Sequence, residues 1–380
     1  MTTLALRQVP TLVFGADALG CARAYLEARG ILHPMIVTSP SNRAHAARLH
    51  PAALVDDSTR SEPTVAHLLS LLAKARAFAP DAIIGLGGGS PLDCAKLVAA
   101  LCHGSQSIHD IWGMGNLAAR SLPLICIPTT AGTGSEVSPN AIFLDEADGA
   151  KKAVISPHLV PDAAFLDPTL THTVPPHVTA ATGLDALTHC IEAYTSLRAQ
   201  PLADTWALDG TRHIAAHLAT AVREPDNAEA RLHVALGSLY GGLCLGPVNT
   251  AAVHALSYPL GSRHRIPHGH ANAILLPHVF RFNSSASPDR HAVVALALGA
   301  PSGPTAEATA AAGCDRLCRL IAATGLEMCL SALHIAESEI PTLAAEGLAV
   351  IRLMRNNPRP MTQQDAEWIY RAAFRGLGCG

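Results

Sequence analysis

Two patterns of apolar residues divide the chain. Up to about residue 170, short apolar runs recur between polar and glycine- or proline-rich breaks: MIVTS, AALVD, DAIIGL, LICIP, NAIFLD and DAAFLD. Runs of this length bounded by turn residues read as strands, and the helical segments between several of them predict a parallel-rich sheet covered by helices. After THTVPPHVTAATG the strand-like runs stop. LDALTHCIEAYTS, EARLHVALGSLYGGLC, TAEATAAAGCDRLCRLIAATG and TQQDAEWIYRAAF instead repeat apolar residues at helical spacing. The pattern predicts an α/β domain over residues 1–172 and an all-helical domain over 173–380. The boundary falls in the proline-containing stretch at 168–178, with no long linker and no internal repeat.

Two glycine-rich turns follow apolar runs in the first domain. In DAIIGLGGGSPLDCAK, Gly87, Gly88 and Gly89 end a strand and a helix follows. Ser90 reads as its N-cap, Pro91 as its first residue and Asp93 as the third residue of a capping box. Bare backbone N–H groups at the positive end of a helix form a phosphate cradle. The spacing is not G-x-G-x-x-G, so this is not the ordinary dinucleotide fingerprint. In PLICIPTTAGTGSEVS, Thr129, Thr130, Thr133 and Ser135 offer hydroxyls on a backbone opened by Gly132 and Gly134. Two such loops after neighbouring strands point to one shared nucleotide.

The second domain carries a different set. Asp185 and His189 stand four apart, on one face of a helix. His254 and His268 lie fourteen apart, a separation of roughly 21 Å on a straight helix. Pro259, Gly261 and Pro267 lie between them and are expected to break the helix, so that His268 opens a new one alongside. One carboxylate and three imidazoles suit Fe²⁺ or Zn²⁺ better than Ca²⁺ or Mg²⁺. With 20 His in the chain, this spacing alone is weak; its company gives it weight.

Composition narrows the classes. The 380 residues suffice for two domains with sizeable cores. Net charge is −3, 15% of residues are charged and no basic cluster occurs, which argues against nucleic acid as a partner. No apolar run approaches the roughly 18 residues needed to span a bilayer, and MTTLALRQVPTLVFG does not read as an export signal. The ten Cys contain no C-x-x-C pair and read as buried thiols of a cytoplasmic protein.

Taken together, GGGSPLDCAK, IPTTAGTGSEVS, TAATGLDALTHCIEAY, HALSYPLG with IPHGHANAILLPH, and NNPRP resemble the iron-dependent (group III) alcohol dehydrogenases, in family order and over nearly the whole chain. The resemblance implies a dehydroquinate synthase-like architecture, NAD or NADP as cofactor, Fe²⁺ (or Zn²⁺) on Asp185, His189, His254 and His268, and hydride exchange with a small alcohol or aldehyde in a cleft between the domains. It implies cofactor contacts from Gly87, Gly88, Gly89, Ser90, Asp93, Thr129, Thr130, Thr133 and Ser135. Ser39 stands where NAD-preferring relatives often carry an aspartate, with Arg43 close behind. A family lysine corresponds to Lys152 or its neighbour Lys151. It also implies a homodimer or higher homo-oligomer.

Where many relatives have a second His four residues after the third ligand, this chain has Tyr258, and a proton relay through Tyr258 and His270 is the corresponding expectation. Three other readings rank lower. A maleylacetate reductase would carry HH-x-x-x-H-x-L-GG where HALSYPLG stands. A sugar-phosphate cyclase needs several Lys and Arg, whereas the ligand-bearing segments offer only Arg263 and Arg265. A non-catalytic binding protein would have little use for both loops and all four ligand types.

Overall fold

The computed structural model describes residues 6–376, which divide into two compact units at Thr173/Val174. The first runs β1 (Thr11–Phe14), α1 (Ala18–Ala28), β2 (Pro34–Val37), α2 (Arg43–Ala46), β3 (Leu54–Asp56), α3 (Val65–Phe78), β4 (Ala82–Gly87), α4 (Gly89–Leu101), β5 (Gly113–Met114), β6 (Leu124–Pro128), β7 (Asn140–Asp145), β8 (Ala150–Ile155) and β9 (Ala163–Leu166). Six strands form a parallel sheet in the order β1-β9-β6-β4-β2-β3.

The apolar runs are continuous because this sheet is covered on both faces. Alternation along the strands then sorts side chains between two cores. Met35, Val37, Ile83, Leu124 and Cys126 join residues of α3 and α4 on one face. Ile36, Ile84, Leu86, Ile125, Ile127 and Phe165 join Leu19, Ala22 and Leu26 of α1 on the other.

NAIFLD departs from the expected single sheet. As β7 it pairs antiparallel with β8, and with β5 they make a separate three-stranded sheet. The sequence hides β8 because AKKAVI opens on two lysines that neutralise carboxylates: Lys152 meets Asp145 and Asp148, both at 2.7 Å, and Lys151 pairs with Glu62.

The second unit is helical throughout its described residues: α5 (Pro176–Thr195), α6 (Pro201–Arg223), α7 (Ala228–Leu245), α8 (Ala252–His264), α9 (His268–Ser284), α10 (Pro288–Ala297), α11 (Ala306–Ala322), α12 (Ile340–Leu348), α13 (Ile351–Met354) and α14 (Gln363–Arg375). From Thr179 to Thr195, α5 is buried at every position but Thr182, with α6, α7 and α9 packed around it. Its polar side chains, among them Asp185, His189 and Glu192, are thereby held in the interior.

The largest single anchor of the α1 face is Phe165, 1% exposed and edge-on to Tyr25 with ring centroids 5.5 Å apart. Phe165→Ala should cost roughly 3–5 kcal/mol. A lowered urea midpoint checks this; an unchanged midpoint would show that the cavity collapses.

Candidate metal centre and nucleotide loops

β6, β4 and β2 are neighbours, so the loops at their carboxyl ends lie side by side. Gly87 has φ +150°, a conformation that excludes ordinary side chains, and a Cβ there would come within 2.8 Å of Pro91 Cγ. A Cβ on Gly89 would come within 2.8 Å of Thr133 Cγ2, and one on Gly88 within 3.3 Å of Thr130 Oγ1. The glycine turn and the threonine loop are thus packed against each other, and Thr129 N–H donates to Gly87 O at 2.9 Å.

The helix start differs from the sequence expectation. Gly88, not Ser90, is the N-cap, α4 begins at Gly89, and Pro91 falls at its third residue. No side chain caps the helix, because Asp93 faces elsewhere: its carboxylate accepts from Ser135 Oγ at 2.6 Å and Ile142 N–H at 2.9 Å. The first-turn N–H groups are therefore left to an anion, which strengthens the cradle. Burial pushes the Asp93 pKa up, against the pull of nearby Lys96. Lys96, closing the GGGSPLDCAK motif, was not singled out from sequence. It is fully buried and donates from Nζ to Ser138 O (2.9 Å) and Asn140 O (2.7 Å), tying α4 to the chain after the threonine loop.

Ser39 follows β2. Its Oγ lies 3.0 Å from Ser41 Oγ and accepts from Asn42 Nδ2 at 3.0 Å, and that Nδ2 is 3.5 Å from the Cβ position of Gly87. Arg43, close behind it, pairs with Asp57 at 2.8 Å. Lys151 and Lys152 spend their charges on the carboxylates named above.

In the helical unit the four candidate ligands converge. Asp185 Oδ1 lies 3.8 Å from His189 Nε2, 3.5 Å from His254 Nε2 and 3.7 Å from His268 Nε2. Pro259 and Gly261 do not break the helix. Pro259 sits inside α8, which runs to His264, and the reversal comes at Arg265 (φ 57°) and the extended Pro267. Proline removes one ladder bond, and the buried packing around Leu256 and Leu260 retains the helix. Gly269 makes the closure possible: a Cβ there would stand 2.2 Å from Ala181 O, so only glycine lets α9 start against the backbone of α5.

Two further residues organise the site. Glu192, one turn beyond His189, accepts from His254 Nδ1 at 2.6 Å and from the N–H groups of Ala251 (2.9 Å) and Val253 (2.6 Å). One buried carboxylate thereby caps α8, which lacks a side-chain cap of its own, and aims His254 Nε2 at Asp185. Asn272, one turn after His268, places Nδ2 at 2.7 Å from Asp185 Oδ1, 3.2 Å from His254 Nε2 and 3.3 Å from His268 Nε2. Neither residue stands out in the sequence alone; the i+3 and i+4 spacings from a ligand are the only local signals of them.

Burial opposes charge on Asp185, but the three imidazoles outweigh it and hold its carboxyl far below the usual carboxylate range. Burial also opposes the His254 imidazolium, and Glu192 and Asp185 together still push its pKa up to about 9. The focus is rich in acceptors and draws in any positive charge at hand. Asn272 Nδ2 supplies some, while its Oδ1 is buried without a hydrogen-bond partner. Ligand atoms of Asp185, His189 and His254 all lie within 4.8 Å of one another, so the donor set fits a first-row divalent ion. His268 is the open side, with 31% side-chain exposure against 4–6% for the others.

The relay expectation fares differently. Tyr258 lies with its ring 6.0 Å from that of His268 and is half-buried; desolvation raises its pKa, and Arg352 beside it pulls it down. His270 Nε2 meets the carbonyl of Glu327. The two have different partners and no described contact joins them.

The family profile described as iron-containing alcohol dehydrogenase matches residues 10–168, and the profile for the C-terminal domain of the Fe-containing alcohol dehydrogenase family matches residues 179–374. This chain belongs to the iron-containing alcohol dehydrogenase family. It is 41% identical over 311 residues to long-chain-alcohol dehydrogenase 1 of Geobacillus thermodenitrificans, covering 80% of this chain and 78% of that one. Among solved structures it is similar to 1,3-propanediol oxidoreductase, at TM-score 0.95 and 30% identity over 98% of this chain and 100% of that one. It is also similar to sulfoacetaldehyde reductase of Bifidobacterium kashiwanohense in complex with NAD⁺, at TM-score 0.88 and 30% identity over 98% and 99%.

The Glu192 geometry yields a test. Glu192→Gln leaves the carbon framework intact but removes the carboxylate charge facing His254 Nδ1, so metal affinity should fall roughly 10–100-fold. Competition with a chelator measures it; equal affinity in both proteins would make Glu192 a helix cap alone.

Proposed function

We propose that Asp185, His189, His254 and His268 hold the metal, and that the glycine turn with the threonine loop holds the nicotinamide dinucleotide. The chain is a metal-dependent alcohol dehydrogenase or aldehyde reductase, as its family membership gives; the division of labour among residues is our reading. The observation that carries it is the convergence of three Nε2 atoms on one buried Asp185 oxygen.

When bound, the metal supplies Lewis acidity to the alcohol or carbonyl group, and the nicotinamide accepts or donates the hydride. The protein's contribution is placement. Glu192 fixes the ring of His254, Asn272 steadies the shared oxygen of Asp185, and the exposed edge of His268 leaves one approach open. Gly87 and Gly88 bring the backbone close and Gly89 and Ser90 present first-turn N–H groups to the pyrophosphate, with Thr129, Thr130 and Thr133 alongside. Asp93 and Ser135 act through each other, since their hydrogen bond ties the threonine loop to α4. Fe²⁺ fits the family, and the imidazole-rich set also accommodates Zn²⁺. Among the described residues no helix is long and apolar enough to cross a membrane. We read the chain as a cytoplasmic homodimer or higher homo-oligomer; free cysteines and the family resemblance support that reading.

His254→Ala and His268→Ala should each lose stoichiometric metal and activity while nucleotide binding persists, because the phosphate cradle stands on other elements. Full metal content in both variants by elemental analysis would refute the ligand set.

Cofactor choice rests on Ser39. A hydroxyl there bonds the adenosine ribose without repelling a 2′-phosphate, so NADP should be tolerated, with NAD modestly preferred or equal. Ser39→Asp should shift discrimination strongly toward NAD, read as kcat/KM for both cofactors. A wild type already rejecting NADP by about a thousandfold, roughly 4 kcal/mol, would place the determinant elsewhere.

A further inference from the structure

Three of this chain's imidazoles crowd together on α6 and α7, outside the metal centre. His213 and His217 are one turn apart on α6, and His233 faces them from α7. His213 Nδ1 and His233 Nδ1 are 3.0 Å apart, with ring planes 15° from parallel. His217 also stacks on His233, with centroids 4.1 Å apart. Asp209, one turn before His213, places Oδ2 3.5 Å from His213 Nε2.

That last contact sets the chemistry. A carboxylate beside Nε2 favours the proton there and leaves the Nδ1 lone pair directed at His233, the arrangement by which carboxylates prepare histidine ligands. The two Nδ1 atoms share a hydrogen bond at 3.0 Å; two nitrogens each about 2.0–2.1 Å from a tetrahedral ion lie roughly 3.3 Å apart, so an ion that replaces the shared proton needs the rings to part only slightly. Burial, with Asp209 opposing it and His233 reinforcing it, lowers the pKa of His213, and burial likewise lowers that of His217. Neutral imidazole is the ligating form. The other charges facing the cluster are Arg212, 3.5 Å from Asp209, and Glu229, which acts on His217. His213 and Asp209 keep 23% and 44% of their side-chain surface exposed, so an ion has a way in.

We propose a second, peripheral site for a divalent transition metal of the Zn²⁺, Ni²⁺ or Cu²⁺ class. His213 and His233 are its ligands, His217 is the adjacent third imidazole, and Asp209 positions His213. Ca²⁺ and Mg²⁺, which favour oxygen, are poor occupants. The site is independent of the catalytic reading, because none of these side chains contacts Asp185, His189, His254 or His268 among the described interactions.

The test is equilibrium dialysis of the iron-loaded protein against Zn²⁺, with total iron plus zinc counted per chain. Wild type should take one ion more than a His213→Ala/His233→Ala variant, whose basal turnover should match wild type. Asp209→Asn, a change at a partly exposed position, should weaken the additional binding roughly 10-fold or more. Equal totals in wild type and the double variant, or no ion beyond the catalytic one in wild type, would overturn the proposal. So would an Asp209→Asn protein that binds the additional ion as tightly as wild type while the double variant still loses it, as far as the role of Asp209 is concerned.

Discussion

One buried carboxylate organises the helical unit. Asp185 sits on a helix almost entirely enclosed by its neighbours, and a lone ionised carboxylate in such a place is costly. It is tolerable because three imidazoles and one amide from three helices turn toward it. That demand reaches outward. α8 has to begin where Glu192 can cap it, α9 has to start on a glycine against α5, and the chain between them has to reverse within three residues. The geometry of the site and the packing of α5, α8 and α9 are one arrangement seen from two sides.

The nucleotide loops obey a different constraint, that of backbone approach. Thr133 occupies the space where a Cβ of Gly89 would stand and Thr130 crowds that of Gly88, so packing as well as any ligand favours glycine there. Half-buried Asp93 and fully buried Lys96 on α4 divide the work of holding the following loop and β7 in place. Such buried polar ties are worth keeping only when fully satisfied, and here every one of those heavy-atom contacts falls within ordinary hydrogen-bond range.

Much of this was legible in the sequence. Continuous apolar runs announce strands covered on both faces, and the i,i+4 spacing of Asp185 and His189 announces a shared helix face. What escaped was set by tertiary context. TLVF of β1 is only four residues long, and β8 is disguised by lysines that pair with neighbouring carboxylates. Ser90 has the chemistry of a cap, but the conformation of Gly87 and Gly88 starts the helix two residues earlier. Pro259 reads as a breaker, yet its helix is retained by buried packing. Glu192 lies within a motif whose neighbours drew attention, and its partner His254 is 62 residues away, beyond any local pattern.

The central claim is that one Asp185 oxygen and three imidazole nitrogens form the protein's share of the metal's coordination shell. X-ray absorption at the iron edge of the loaded protein tests it without any substitution. The account predicts light-atom ligands at about 2.0–2.2 Å with outer-shell scattering that requires three imidazoles. A shell fitted by oxygen alone, or by sulfur, would contradict it.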